Sequence, residues 1–574
     1  MILRKRWHYR IPGGDAPVET RNMADNLALA GALGVSPLVV RLLRGRGLSS
    51  ADEMDVFLNP GLRHLASPGD YPGMDQAAAV LAQGLAEGRT LCVWGDYDVD
   101  GVTSTALVLD FLESRGIAAR HYIPPRQEGY GLNQEQLERL AAEGVSLLLT
   151  VDCGISAVEE IARARELGML VVVSDHHLPP ETLPDAHAVC DPKLGPCPCE
   201  NLAGVGVAFL LMATLNRLLP GEPTDMRRLL DLVALGTLAD IVDLTGQNRV
   251  LVKNGLLLLK QATRPGIFAL KEAAGIAPTD PMTADQVVFT LAPRINAAGR
   301  VGLAEDALSL LRAPDRDTAR PYAAALNALN VKRRGEEDAI FDDAFAQATA
   351  LSERPGLVVA GEDWHPGVVG IVASRLVDRF YKPTLVLTRD DGDYKGSGRS
   401  TEEFDLYAGL AACAEVIEHF GGHRQAAGLK VRADRLDDLR RAFDTAVLDQ
   451  LGPTPPGPRL ALDMVLPFAD ITHTLLRELQ MLEPYGQGNP EPVFASARVL
   501  LEGMSPFGRD LAHLKLLLRD IETQVALRAN AWRMASVIPR SMAGKTVRAA
   551  YQPRINTWKG VPNIELQLRD IMLD

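Results

Sequence analysis

Between residues 90 and 174 short apolar runs alternate with amphipathic ones, a pattern that few architectures can accommodate. "TLCVW" (90–94), "ARHYIP" (119–124), "SLLLTV" (146–151) and "MLVVVS" (169–174) have the length and apolar content of buried strands. "STALVLDFLESRG" (104–116), "NQEQLERLAAEG" (133–144) and "ISAVEEIARARELG" (155–168) have helical periodicity, the second opened by Asn133 as an N-cap. Such alternation predicts a parallel sheet with right-handed crossovers, whose functional loops lie in the crevice beyond the strands' carboxyl ends.

The residues just past each strand are therefore the informative ones. Asp96, Asp98 and Asp100 follow the first run, Asp152 the third, and Asp175, His176 and His177 the fourth, while Asp240 follows the helix-like run in "LLDLVALGTLADIVDL" (229–244). One acidic loop after a strand usually means a solvated turn. Four such sites at corresponding ends favour a shared hard cation, because crowded carboxylates repel unless a metal or proton lies between them.

The 574 residues predict about three or four domains. With 47% hydrophobic and 23% charged residues the chain is globular, and the net charge of −13 gives it no overall match to a polyanion. Any nucleic acid must be met by a local basic groove. No signal-peptide core follows the basic start, and no run reaches the length of a membrane span, which predicts a soluble cytoplasmic protein. Six cysteines are too sparse for a disulfide framework. His187, Cys190, Cys197 and Cys199 allow a zinc knot by composition, but without a paired CxxC the favoured reading is a reduced Pro-rich loop.

"DYDVDG", "TVDCGIS", "DHH" and "LGTLAD", in this order, resemble the four motifs of the DHH phosphoesterase superfamily. "PRINAAGR" (293–300), "WHPGVVGIVASRL" (364–376), "KGSGRS" (395–400) and "FGGHRQAAGL" (420–429) are similar to the DHHA1 part of its bacterial single-stranded-DNA exonucleases. "LEPYGQGNPEPVF" (482–494) resembles the start of their OB-fold region. The resemblance implies an α/β DHH domain with a parallel sheet and flanking helices, a helical connector, an α/β DHHA1 domain facing the metal site across a cleft, and a C-terminal OB-fold β-barrel. Boundaries fall near residues 1–70 for a helical lead-in that packs on or precedes the sheet, then 71–280, 281–350, 351–455 and 456–574. Short alternating strands at 492–501, 513–519, 546–552 and 563–573 fit the barrel. "MAGKT" (542–546) ends like a nucleotide-binding loop, but Pro539 stands where its first glycine belongs.

Asp98, Asp100, Asp152 and Asp240 carry enough charge to offset two divalent cations, with His176 as a nitrogen ligand. A carboxylate-rich set with one imidazole suits Mn²⁺, with Mg²⁺ as its competitor. By resemblance Asp152 bridges the pair, Asp98 sits mainly on one ion, and Asp100, His176 and Asp240 on the other. His177 faces a phosphate oxygen or leaving group, or else supports the ligands, and Asp96 and Asp175 are metal-proximal or orient a ligand.

In "KGSGRS" Gly396 and Gly398 would turn successive N–H groups toward an anion, with Ser397 and Arg399 adding a hydroxyl and a forked cation; the resemblance makes this a pocket for a DNA 5′ end. The alternative is a glycine hairpin between strands. Arg126 past the second strand is a candidate for a terminal phosphate, and Arg300 and His423 for backbone phosphates, each with a helix-terminal or packing alternative. Trp532, Tyr551 and Trp558 are candidates for base stacking or for barrel core.

The implied function is a 5′→3′ single-stranded-DNA exonuclease acting as a monomer in recombination and repair, beside single-strand-binding protein and a helicase. The alternatives are a phosphodiesterase for short oligonucleotides or cyclic dinucleotides, and a non-catalytic DNA-binding scaffold.

Overall fold

The computed structural model describes residues 5–11, 23–556 and 562–574. Trp558 lies outside them. The chain divides into two compact units, Met1–His8 with Ala328–Ala461, and Tyr9–Asn327 with Leu462–Asp574.

In the larger unit, strands β1 (Leu91–Trp94), β2 (Arg120–Tyr122), β3 (Leu147–Val151), β4 (Leu170–Ser174) and β5 (Ala188–Cys190) form a parallel sheet in the order β2-β1-β3-β4-β5. Every residue of β1 and β3 is buried, as expected of central strands covered on both faces. Trp94 pairs with Thr150 and Val151 with Ser174, so the acidic turns leave one edge of the sheet together. The strand order reverses between β1 and β3, the place where open parallel sheets bind their ligands. β5 belongs to the segment read as a Pro-rich loop, and three residues were too few to show as a period.

The helix after β1 starts earlier than its apolar run suggested. It spans Val99–Ser114, with Asp98 as N-cap accepting the Gly101 N–H at 3.1 Å, so Asp98 and Asp100 belong to a helix start rather than a free loop. Asn133 caps Gln134–Ala142 as expected, accepting from the Gln136 N–H at 2.9 Å.

Of the two expectations for the N-terminal helices, that they pack on the sheet or precede it, the second holds. Pro37–Gly45 and Ala51–Leu58 bury Val39, Leu42, Leu43, Met54 and Phe57 in one core with Phe468, Leu475, Val499 and Tyr551 of the C-terminal region. Their apolar stripe announced burial but not which surface would provide it. Among the described residues no single helix is long and apolar enough to cross a membrane.

The C-terminal sheet closes through Val499–Phe507, His513–Asp520, Ala526–Ala531, Asn563–Leu573 and Thr546–Asn556, the last pairing back onto the first. This five-stranded ring is consistent with an OB fold. Ala526–Ala531 escaped the sequence reading because "ALRANA", though it alternates apolar with polar from Leu527 on, fills its apolar positions mostly with alanine, a poor strand former. Tyr551 is wholly buried, with Phe468 and Phe494 against its ring, and so is barrel core rather than a stacking platform. Trp532 is about half exposed and packs edge-on against Phe507 and His513. Residues 542–546 are a turn leading into a strand, without the helix a phosphate loop needs.

The smaller unit holds a five-stranded sheet built on Leu357–Gly361, Thr384–Asp390, Asp393–Arg399, Ala426–Val431 and His419–Gly422, paired in that order. Helix Pro366–Phe380 packs against its strands, and Leu436–Leu451 contributes Leu439 and Phe443 to its core.

Candidate active site

The turns at the sheet edge bring the predicted ligands together. His176 Nε2 lies 3.1 Å from Asp152 Oδ1, 3.7 Å from Asp240 Oδ2 and 3.9 Å from Asp100 Oδ2. Ligand-type atoms fall into three groups with metal-binding spacing: Asp96, Asp98 and Asp152; Asp152, His176 and His177; and Asp100, His176 and Asp240. Asp152 and His176 each belong to two of them.

Two structural devices hold the cluster. Asp100 accepts the Gly204 N–H at 2.7 Å and the Val205 N–H at 3.0 Å, so the start of helix Gly204–Leu218 fixes both its oxygens. A Cβ on Gly204 would lie 2.6 Å from Asp152 Oδ1, which is why no side chain fits there. Asp152 itself adopts φ 61°, a conformation Asp tolerates better than most residues.

The electrostatics are those of carboxylates crowded together out of water. Burial first, and then Asp240 and Asp98, hold Asp100 well above the usual carboxylate range. Asp152 is likewise raised by burial and by Asp100, Asp98, Asp240 and Asp96. Asp96 and Asp240 are pushed up to about 7 by burial and Asp98. His176 is lowered to about 3 by burial and by the neighbouring His177. Asp96 Oδ1, Asp152 Oδ1, Asp240 Oδ2 and His176 Nε2 are buried atoms without a hydrogen-bond partner. A protein ordinarily satisfies such groups, and a divalent cation satisfies this set of oxygens and one nitrogen.

Asp175 is tied by hydrogen bonds to both histidines. One carboxylate oxygen accepts the His176 N–H at 2.7 Å, the His177 N–H at 3.2 Å and His177 Nδ1–H at 2.7 Å, and the other accepts the Ile155 N–H at 2.9 Å. Burial opposes its charge, but these bonds and the His177 ring keep it below the ordinary value. Burial also works against a charged His177, yet its bond to Asp175 raises it to about 9.

Sequence reasoning missed several supports. Tyr130 places its hydroxyl 3.1 Å from the Asp152 carbonyl oxygen and 3.0 Å from His177 Nδ1, and Lys193 Nζ donates to the His176 carbonyl. Neither "GYG" nor "DPKLG" carries a residue type that marks such a role. Of the residues in the zinc alternative, His187 Nδ1 accepts the Val171 N–H at 3.1 Å, and Cys190 Sγ lies 3.7 Å from Met74 Sδ.

Of the candidate phosphate contacts, Arg126 lies over the Tyr97 ring at 5.1 Å, beside Asp96 and Asp98. The charge of Arg300 also acts on Tyr97, and Gly299 fits so closely that a Cβ would meet the Tyr97 backbone. In the smaller unit, Arg399 Nη1 donates to Ser397 Oγ and to the Gly398 carbonyl, both at 2.7 Å. Gly396 and Gly398 do not form an anion-binding turn. They lie within the strand Asp393–Arg399, which is paired on both sides, and a Cβ at Gly396 would strike the neighbouring strand's backbone. His423 is exposed on the hairpin turn, its N–H donating to the Ala426 carbonyl at 2.8 Å.

Comparison with known proteins places this site in a family. Models of the DHH family N-terminal domain, the DHHA1 domain and the RecJ OB domain match residues 90–237, 353–449 and 462–570. The chain is 36% identical to the single-stranded-DNA-specific exonuclease RecJ of Bacillus subtilis, over 99% of this chain and 71% of that protein. To RecJ of Escherichia coli it is 34% identical, over 93% and 96%. The crystal structure of Thermus thermophilus RecJ in complex with Mn²⁺ superposes with a TM-score of 0.84 at 31% identity, covering 99% of this chain and 80% of that one. With DHH, DHHA1 and OB domains in order and such identity along almost its whole length, the chain belongs to the RecJ exonuclease family.

Proposed function

We propose that this protein is a metal-dependent exonuclease that degrades single-stranded DNA from the 5′ end, releasing 5′-mononucleotides. The observation that carries the reading is the convergence of unpartnered, buried atoms of Asp96, Asp152, Asp240 and His176 at the switch point of the sheet. Asp98, Asp100, Asp152, His176 and Asp240 would hold two divalent cations, Mn²⁺ or Mg²⁺. Such a pair lowers the pKa of bound water and offsets charge on a phosphodiester.

The chain's own groups supply the rest. Asp175 and Tyr130 fix the His177 ring through Nδ1, leaving Nε2 to donate a proton to a phosphate oxygen or to the departing O3′. Arg126 and Arg300 add positive charge beside Tyr97 for the substrate phosphates, and Ser397, Arg399 and His423 are proposed contacts for the rest of the strand. Trp532 offers a face for base stacking on the barrel. In this reading the enzyme acts in recombination and repair beside single-strand-binding protein and a helicase.

The test uses purified protein, Mn²⁺ and oligonucleotides labelled at either end, as single strands, blunt duplexes and tailed duplexes, with a chelator control. Mononucleotides leaving the 5′ end of single strands, and none with chelator or in Asp98→Asn, is the expected result. Cleavage confined to dinucleotides or cyclic dinucleotides would reject the substrate.

The raised His177 also predicts a pH dependence. The ring carries both protons below about 9 and loses one as pH rises through that value, so kcat/KM should fall there. Asp175→Asn removes the charge that holds the proton and should move this alkaline limb toward the ordinary histidine value of about 6.5. An unmoved limb would exclude His177 as the proton donor.

A further inference from the structure

Helix Leu230–Ala239 ends on Asp240, whose N–H donates to the Gly236 carbonyl at 2.9 Å, and the next residue, Ile241, turns the chain at φ 61°. Glycine ordinarily follows a helix in this conformation, because a Cβ there crowds the neighbouring carbonyl. A β-branched side chain is the worst choice. Eight described non-glycine residues have positive φ, and Ile241 alone among them is β-branched.

Packing does not compensate, since Ile241 is 65% exposed. Glycine or asparagine would relax the turn and remove apolar surface from water. The position of Ile241 suggests a use. Ile241 adjoins Asp240, whose Oδ2 lies 3.7 Å from His176 Nε2, and Leu178, 67% exposed, directly follows His177. Two large aliphatic side chains thus stand in solvent on residues that directly follow members of the cluster in the chain. The ligands themselves can engage a phosphate, and Tyr130, half exposed with its ring edge-on to His177, adds an aromatic face but no aliphatic surface for the nucleoside attached to it.

We propose that Ile241, with Leu178 beside the second histidine, contacts the substrate directly, packing on the apolar face of the nucleoside next to the phosphodiester held at the ligand cluster. Backbone strain persists at functional sites when the strained group is used there. This inference rests on the exonuclease reading and adds a residue that grips the nucleoside rather than its phosphate. The apolar face is either the deoxyribose or the base, and the experiment distinguishes them.

Ile241→Gly, Ile241→Asn and Ile241→Val are compared with the wild-type chain in Mn²⁺ on single-stranded oligonucleotides with a normal or an abasic 5′-terminal residue, alongside thermal melting. Glycine and asparagine suit the turn, so both variants should melt at or above the wild-type temperature. Their KM should rise about fivefold to tenfold, the effect of losing the burial of about one to two methylene groups, with kcat little changed. Valine should stay near wild type in KM. A KM rise that persists on the abasic strand assigns the contact to the deoxyribose, and one that vanishes assigns it to the base. Unchanged KM in both variants on the normal strand would overturn the proposal. So would a lower melting temperature for Ile241→Gly, which would show that the side chain serves the fold. A wild-type chain inactive on single strands would overturn the exonuclease reading and this inference with it, and that result is seen in the wild-type arm alone.

Discussion

Replacing Asp152 by Asn is expected to lower the rate of nucleotide release by about a thousandfold or more, the scale seen when an essential catalytic group is removed. The metal-free protein should become no less stable. Asp152 is shared by two of the ligand groups and is held well above the usual carboxylate range by burial and by Asp100, Asp98, Asp240 and Asp96. Asparagine keeps the shape, tolerates φ 61° and removes one of the crowded charges. Without metal, repulsion falls; with metal, a ligand is lost.

Thermal melting with and without Mn²⁺ checks both halves. A cation that binds only the folded state raises the melting temperature by mass action, so the wild-type chain should gain stability on Mn²⁺ addition and Asp152→Asn much less. The metal-free wild type should also be more stable at pH 6 than at pH 8. Asp96 and Asp240, raised to about 7 by burial and Asp98, are protonated below that value, and the stability this brings is lost as pH rises through it. A fully active Asp152→Asn would remove the residue from the centre of the mechanism.

Gly204→Ala should be nearly as damaging, although it adds only a methyl group. The new Cβ would sit 2.6 Å from Asp152 Oδ1, closer than such atoms approach, and 3.0 Å from Asp100 Oδ2, a tight contact, at a buried helix start that cannot easily retreat. Either the two carboxylates swing away or the helix shifts and gives up the N–H bonds that hold Asp100. Misplacement of about 1 Å at a reacting centre can cost a hundredfold in rate, and a loss of that order is expected here. Because the ligands themselves remain, raising the Mn²⁺ concentration should recover part of the activity, which it cannot do for Asp152→Asn. Titrating activity against Mn²⁺ separates the cases. Wild-type metal dependence in Gly204→Ala would mean the helix start does not set the ligand geometry.

The sequence by itself determined the parallel sheet and the residues that gather at its edge. Strands buried on both faces must be continuous apolar runs, and a parallel sheet sends the turns after β1, β3 and β4 to one side, so Asp96, Asp98, Asp152, Asp175 and His176 could be placed together from their positions in the chain. Short or weakly apolar strands were not legible: Ala188–Cys190 has three residues, and "ALRANA" alternates apolar with polar but relies on alanine, a poor strand former, at its buried positions. Tertiary structure alone decided what depends on meetings between distant segments. It set the N-terminal helices against the barrel rather than the sheet, put Tyr551 in a core, and laid Gly396 and Gly398 in a paired strand. It also brought Gly204 against Asp152, and Tyr130 and Asp175 against His177. A side chain's type and its spacing from near neighbours fix local conformation and the face it presents. Which distant group meets that face is set by how the layers pack, and there a methyl group or a hydroxyl decides whether a site forms.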